Sequence, residues 1–251
     1  MERANKPTAI PVSSPLPQPS ISVEEDKVQA SLASGDSVIV NLLGATVVSW
    51  KLANGDEQLF LSEKAVLDGS KPIRGGIPLV FPVFGPPPKT MRLPRFPSTD
   101  LLVTHIGNSW GNHFGSEGQN GDSSDITKTR ILNLQSKTYV DKVLNASTHV
   151  ESSRALAITQ ETDRVYQSLN PTVPIVVADD DNNPVFSIYR ESLNDIVVWN
   201  PWIEKAKGMA DFAPDDGYKN MICVEAGSVV GWQTLEAGES WECGQTVKSK
   251  L

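Results

Sequence analysis

Glu225 lies in the run ICVEAG, with Ile222, Val224 and Ala226 around it. That pattern predicts a strand in a partly apolar setting. A carboxyl group there is desolvated, which lifts its pKa toward neutrality, where it can exchange protons with a substrate. A strand glutamate facing solvent is the alternative. Arg74 lies in PIRGGIP. Its planar guanidinium suits a carboxylate or phosphate, and Gly75 and Gly76 would let the backbone approach a ligand closely. A solvated loop arginine is the alternative. Asp163, in ETDRVY, is either a ligand-facing acid, an ion-pair partner of Arg164 or a turn cap. The histidines are His105, His113 and His149. His149 falls in a polar, Ser- and Thr-rich stretch and reads as a solvated loop residue. His105 and His113 fall where the patterning of the chain fails, and no role is assigned to them. The spacing of Cys223 and Cys243 forms no zinc-type pair, so neither a metal nor another cofactor is expected.

The elements that must position these residues read as strands. Val38, Val40 and Leu42 alternate with Ile39, Asn41 and Leu43. A second apolar run, Ala45 to Leu52, ends at Asn54-Gly55, and Gln58 to Leu61 follows, a hairpin signal. Val66 to Lys71 reads as a polar turn. Pro78 and Pro82 break the next apolar residues into a shaped loop or edge segment. Further strands are expected at Ala155–Thr159, Val173–Ala178, Val185–Tyr189, Ile196–Trp199, Met221–Ala226 and Ser228–Thr234, with a helical turn over Ala206–Ala213. Short strands at this spacing predict an all-β fold, a sandwich or a closed sheet. Residues 1–20 form a tail, since Pro7, Pro11, Pro15, Pro17 and Pro19 exclude a helix or a central strand. Residues 21–251 are expected to form one domain.

The 251 residues suffice for one sizeable core. A formal net charge of -8 argues against nucleic acid or an anionic membrane as partner, because both require a basic face. No export signal or membrane-length apolar run is visible, so a cytoplasmic protein with reduced thiols is expected.

Three stretches carry a resemblance: KPIRGGIPLVFPVFGPP from Lys71, TYVDKVLNAS with ITQETDRVY between Thr138 and Tyr166, and VVWNPWIEKAKGMADFAPDDGYKNMICVEAG from Val197. Together they resemble glucose-6-phosphate 1-epimerase, the hexose-6-phosphate mutarotase branch of the aldose 1-epimerase-like family, in its fungal form. The resemblance covers roughly Ile21 to Gly85 and Asp125 to Leu251. It implies a large antiparallel β-sandwich with the sugar held in a cleft on one sheet, a hexose 6-phosphate substrate and a monomer. The implied reaction exchanges α and β anomers. A base takes the proton of the anomeric hydroxyl while an acid protonates the ring oxygen, the ring opens, and closure reverses the roles. By the resemblance Glu225 is the general base, Arg74 a substrate arginine and Asp163 a sugar-binding aspartate. Trp199 and Trp202 either stack on a sugar face or pack in the core or at the rim.

Residues 89–124 break the pattern. The family continues here into a segment containing LPQHGFAR, whose glutamine and arginine contact substrate, and this chain lacks it. Permitted codons for Met91 to Asn112, read in a displaced frame, spell ATSSLPQHGFARNSHWEFLGK, which is the expected segment. The family's further strands, including the one bearing the general-acid histidine, have no counterpart before Asp125. The chain therefore reads as frameshifted and internally deleted. Loss of those strands would expose sheet edges and leave Glu225 without its acid partner. Impaired or absent activity is expected, with non-catalytic sugar-phosphate binding or an unstable product as alternatives.

Overall fold

The computed structural model describes residues 18–78, 113–115, 125–230 and 239–250. The strands are β1 (Ser20–Val23), β2 (Lys27–Ser31), β3 (Ser37–Asn41), β4 (Thr46–Lys51), β5 (His113–Gly115), β6 (Arg130–Leu132), β7 (Thr138–Asp141), β8 (Ser147–Val150), β9 (Ala155–Ala157), β10 (Thr162–Tyr166), β11 (Ile175–Ala178), β12 (Pro184–Glu191) and β13 (Asp195–Asn200). The helix α1 (Trp202–Gly208) follows, then β14 (Met221–Gly227) and β15 (Gly244–Ser249). They form a four-stranded sheet β1-β2-β3-β4, a six-stranded sheet β5-β14-β13-β10-β7-β8 and a five-stranded sheet β15-β12-β11-β6-β9. Every strand pairing is antiparallel. The expected all-β sandwich is therefore the fold.

The period-2 alternation of β-strands assigns each side chain a face. On β13, Ile196 and Val198 enter the main core, and on β14 Ile222, Val224 and Ala226 do the same. Opposite them, Ile131, Leu156, Ile175, Val177, Phe186 and Ile188 come from the five-stranded sheet. The alternate residues, Val197 and Trp199 on β13 with Met221 and Cys223 on β14, face the other way into a second cluster. Ala206 of α1, Phe212 and Tyr218 cover that cluster. The four-stranded sheet joins the main core through Trp50, whose ring lies 6.3 Å from that of Phe186.

Two buried polar side chains fix how β13 meets β14. At one end Asn200 donates to the carbonyls of Tyr218 and Met221, each at 2.9 Å, and accepts from the Trp202 amide at 2.8 Å. At the other, Asp195 accepts from the amides of Val229 and Val230 at 2.9 Å and of Ser168 at 3.1 Å. A third polar group ties β10 to the strands beside it. Glu151 accepts from the Tyr166 hydroxyl at 2.8 Å, from Arg164 at 3.0 Å and from the Ser153 amide at 2.9 Å. Burial opposes its ionisation, yet these donors together hold its carboxyl below the usual glutamate range.

Several expectations change. The helix runs over Trp202–Gly208 rather than Ala206–Ala213; Pro201 stands at its N-cap, and the Trp202 amide donates to the side chain of Asn200 before it. His149 is on β8, not in a loop. It stacks on Tyr139 with ring centroids 5.5 Å apart and shares a 2.7 Å hydrogen bond with Ser147. Residues Ser228–Val230 lie beyond the last residue of β14 and form no strand. The Asn54-Gly55 turn closes through the isolated bridge Lys51↔Glu57 instead of a full ladder. The tail up to Pro17 lies outside the described residues, as do the rest of the expected strand to Thr234 and the aberrant segment apart from β5.

Gly75 and Gly76 also serve a different purpose from the ligand approach expected of them. Both have positive φ, 128° and 72°, and a side chain at either would collide with backbone of this chain, at Phe60–Leu61 and at Val47–Val48 respectively. Gly76→Ala is accordingly expected to cost about 2 kcal/mol of stability, read as a lower urea midpoint at unchanged slope. For Glu151, the lowered folded-state pKa contributes stability that is complete above the ordinary value near 4.5 and is lost as pH falls through the folded-state value. Glu151→Gln should be about 2 kcal/mol less stable than wild type at neutral pH, and that gap should close in urea titrations as pH falls below the ordinary glutamate range and through the folded-state value.

Candidate functional site

The strand alternation puts Glu225 on the face of the six-stranded sheet turned away from the main core, the face that carries Cys223, Val197 and Trp199. It is 1% exposed, so the solvent-facing alternative is excluded. The Cys223 thiol, two residues earlier on the same strand and fully buried, donates to Oε1 of Glu225 at 2.9 Å. Glu225 pairs in register with Val197, and Cys223 with Trp199. On the far side of Cys223, β5 places the backbone of His113 in register with it.

Asp163 occupies the same face one strand further on. It is in register with Trp199, while Val165, two residues along β10, contributes to the second cluster. The alternative reading, an ion pair with Arg164, is not what forms. Arg164 projects to the opposite face, where it bonds Asp141 at 3.3 Å and Glu151 at 3.0 Å and lies 4.7 Å above the Tyr139 ring. Asp163 is approached instead by two lysines. Lys142 Nζ is 3.9 Å from Oδ1 and Lys205 Nζ 3.9 Å from Oδ2. Burial pushes the Asp163 carboxyl above the usual aspartate range, against the pull of Lys142 and Lys205. Burial also lowers the Lys142 ammonium, while the charges of Asp163 and Glu225 oppose that shift. Lys142 is thus within electrostatic reach of both acids.

Arg74 is buried, at 6% exposure, and is no solvated loop residue. Its Nη2 donates to both carboxylate oxygens of Asp211, at 3.1 and 2.9 Å. Ser62 reinforces this junction. Its amide donates to the Arg74 carbonyl, its hydroxyl donates to the Asp211 carbonyl at 2.8 Å, and the Ala213 amide donates back to that hydroxyl at 2.8 Å. Phe60 and Phe212 stack beside it at 5.4 Å, and both adjoin the cluster containing Trp199 and Cys223. Trp199 is a core residue, 1% exposed. Trp202 is half-buried and packs on Tyr218 at 5.4 Å.

Glu225 and Asp163 therefore share one face of one sheet, and Arg74 is paired with Asp211, next to Phe212 of the cluster on that face. Asp211, Cys223, Lys142 and Lys205 were not singled out from the sequence. Asp211 lies 137 residues from Arg74, and no local spacing announces such a pair. Cys223 could have been found, since strand period alone places residues 223 and 225 on one face.

A family model described as Aldose 1-epimerase matches residues 108–248. A protein of Cenchrus ciliaris with the provisional name glucose-6-phosphate 1-epimerase is 31% identical over 259 aligned positions, taking in 80% of this chain and 78% of that protein. A protein of Escherichia coli (strain K12) with the same provisional name is 28% identical, over 82% of this chain and 81% of its own length. Among solved structures, a protein from Salmonella typhimurium provisionally described as a mutarotase superposes with a TM-score of 0.68. It covers 95% of this chain and 96% of that one, at 21% identity, a likeness of fold.

Asp211→Ala removes the carboxylate facing a buried guanidinium and is expected to cost about 3 kcal/mol of stability in urea unfolding. Arg74→Met should cost distinctly less in that background than in wild type, which is the non-additivity expected of a directly bonded pair.

Proposed function

Because the chain belongs to the aldose 1-epimerase family, we propose that its site handles the α and β anomers of a hexose 6-phosphate, glucose 6-phosphate first among them. The observation that carries this reading is the burial of Glu225 on the same sheet face as Asp163. In the proposed reaction Glu225 takes the proton from the anomeric hydroxyl, with Oε1 already held by the Cys223 thiol. Asp163 accepts from a ring hydroxyl and so orients the sugar. Arg74, fixed by Asp211, supplies positive charge for the phosphate. Ring opening also requires a proton donor at the ring oxygen. An acid and a base of matched pKa on opposite sides of the acetal centre are what make the step fast.

That donor is where this chain falls short of the reaction. The segment of residues 89–124 reads as a displaced frame of the expected site segment, and the strand carrying the acid histidine has no counterpart in the sequence. The alignment to the Cenchrus protein supports the deletion. It runs to 259 positions, more than the 251 residues of this chain, yet takes in only 80% of them, which requires gaps on this chain's side. We therefore infer that the polypeptide keeps part of the sugar-binding half of the site and is impaired in catalysis. Sugar-phosphate binding without turnover is the activity this leaves.

Calorimetry with glucose 6-phosphate should show saturable binding, weakened roughly tenfold or more by Arg74→Ala, the loss expected for one charge-assisted contact. Exchange spectroscopy by NMR on the same sample should show α–β interconversion no faster than in buffer. No binding at millimolar ligand would overturn the site. Interconversion as fast as with the Escherichia coli relative would overturn the impairment.

A further inference from the structure

The two lysines beside Asp163 have a geometry that is neither a tight ion pair nor independent solvation. Lys142 follows β7 directly, and its amide donates to the Asp163 carbonyl at 2.8 Å, so its backbone is fixed beside β10. Lys205 comes from α1 and is anchored by a 3.0 Å hydrogen bond to Glu161. Each ammonium stands 3.9 Å from a different oxygen of the Asp163 carboxylate. That is close enough for strong Coulomb attraction and too long for a hydrogen bond. Oδ1 is buried and accepts no hydrogen bond. An unsatisfied buried carboxylate oxygen costs free energy unless something else supplies the donor. Among the described residues, the other charges bearing on Asp163 are Glu161 and Asp141, both of which oppose its ionisation, while the two lysines favour the charged form.

We propose that Lys142 and Lys205 are positioning residues: they hold Asp163 charged and oriented on the Glu225 face while leaving Oδ1 for a hydroxyl of the bound sugar. This deepens the function proposed above and rests on its reading of Asp163 as a hydroxyl acceptor. An ammonium in direct contact with Oδ1 would compete with the sugar for it. An ammonium at 3.9 Å supports the charge without occupying the acceptor. Because Lys142 also feels Glu225, it sets the charge balance between the two acids that face the substrate.

The lysine side chains are each about one-third exposed, so truncating either is compatible with folding. Carboxyl-carbon NMR titration of Asp163 in Lys142→Met and Lys205→Met should show roughly tenfold tighter protonation than in wild type. Lys142→Arg and Lys205→Arg should restore the wild-type curve. Calorimetry at neutral pH should then show both Met variants weakening glucose and glucose 6-phosphate by the same factor, because the hydroxyl contact is common to the two sugars. A loss confined to glucose 6-phosphate would make the lysines direct phosphate contacts and overturn the proposal. An unchanged Asp163 titration with intact sugar binding would overturn the part assigned to the lysines alone. Wild-type protein that binds neither sugar would overturn the sugar-site reading, and with it the role of Oδ1.

Discussion

The antiparallel pairing of β13 with β14 is the constraint on which the rest of this structure depends. Asn200 and Asp195 sit at its two ends, both buried, and each accepts or donates several backbone hydrogen bonds. Neither could move by one residue without leaving buried polar groups unmatched. Register matters here because side chains alternate: a one-residue slip of β14 would turn Glu225 into the apolar core and bring Val224 or Ala226 out. The two polar clamps therefore decide which face the carboxyl occupies. The hydrophobic residues on either side then make that choice favourable, with Ile222 and Val224 inward and Met221 and Cys223 toward α1.

The six-stranded sheet separates two kinds of polar chemistry. On the core side, Arg164, Tyr166, Glu151 and Asp141 form a network with hydrogen bonds of 2.8 to 3.3 Å. It holds β10 against β7 and the chain beyond β8. On the other side, Glu225 is buried and bonded to the Cys223 thiol, and Asp163 is half-buried with two lysines at longer range. The first arrangement spends its hydrogen-bonding capacity internally. In the second, Oδ1 of Asp163 accepts no hydrogen bond from the described residues. Adjacent residues of one strand, Asp163 and Arg164, thus take part in opposite tasks.

Arg74 is held by distant parts of the chain. Gly75 and Gly76 let the segment bearing it press against the backbone of Phe60–Leu61 and Val47–Val48. Ser62 and Asp211 then tie it to the loop that follows α1. The glycines act one step back from any ligand. They set the position of the arginine against neighbouring backbone.

The sequence by itself determined the fold class, most strand positions and the family. These depend on local alternation, turn residues and contiguous motifs such as ICVEAG and ETDRVY, which survive in a one-dimensional reading. It also singled out Glu225, Arg74 and Asp163 as candidates, and marked residues 89–124 as the stretch whose patterning departs from its flanks. Its errors fell where long-range partners override local character. His149 sits in a polar stretch but is claimed by the ring of Tyr139. Arg164, the alternative ion-pair partner of Asp163, is claimed by Glu151 and Asp141 across the sheet. Only the tertiary structure decided the partners of the site residues: Asp211 for Arg74, Cys223 for Glu225, Lys142 and Lys205 for Asp163. Charge pairing and burial depend on distance in space, and a sequence records only distance along the chain.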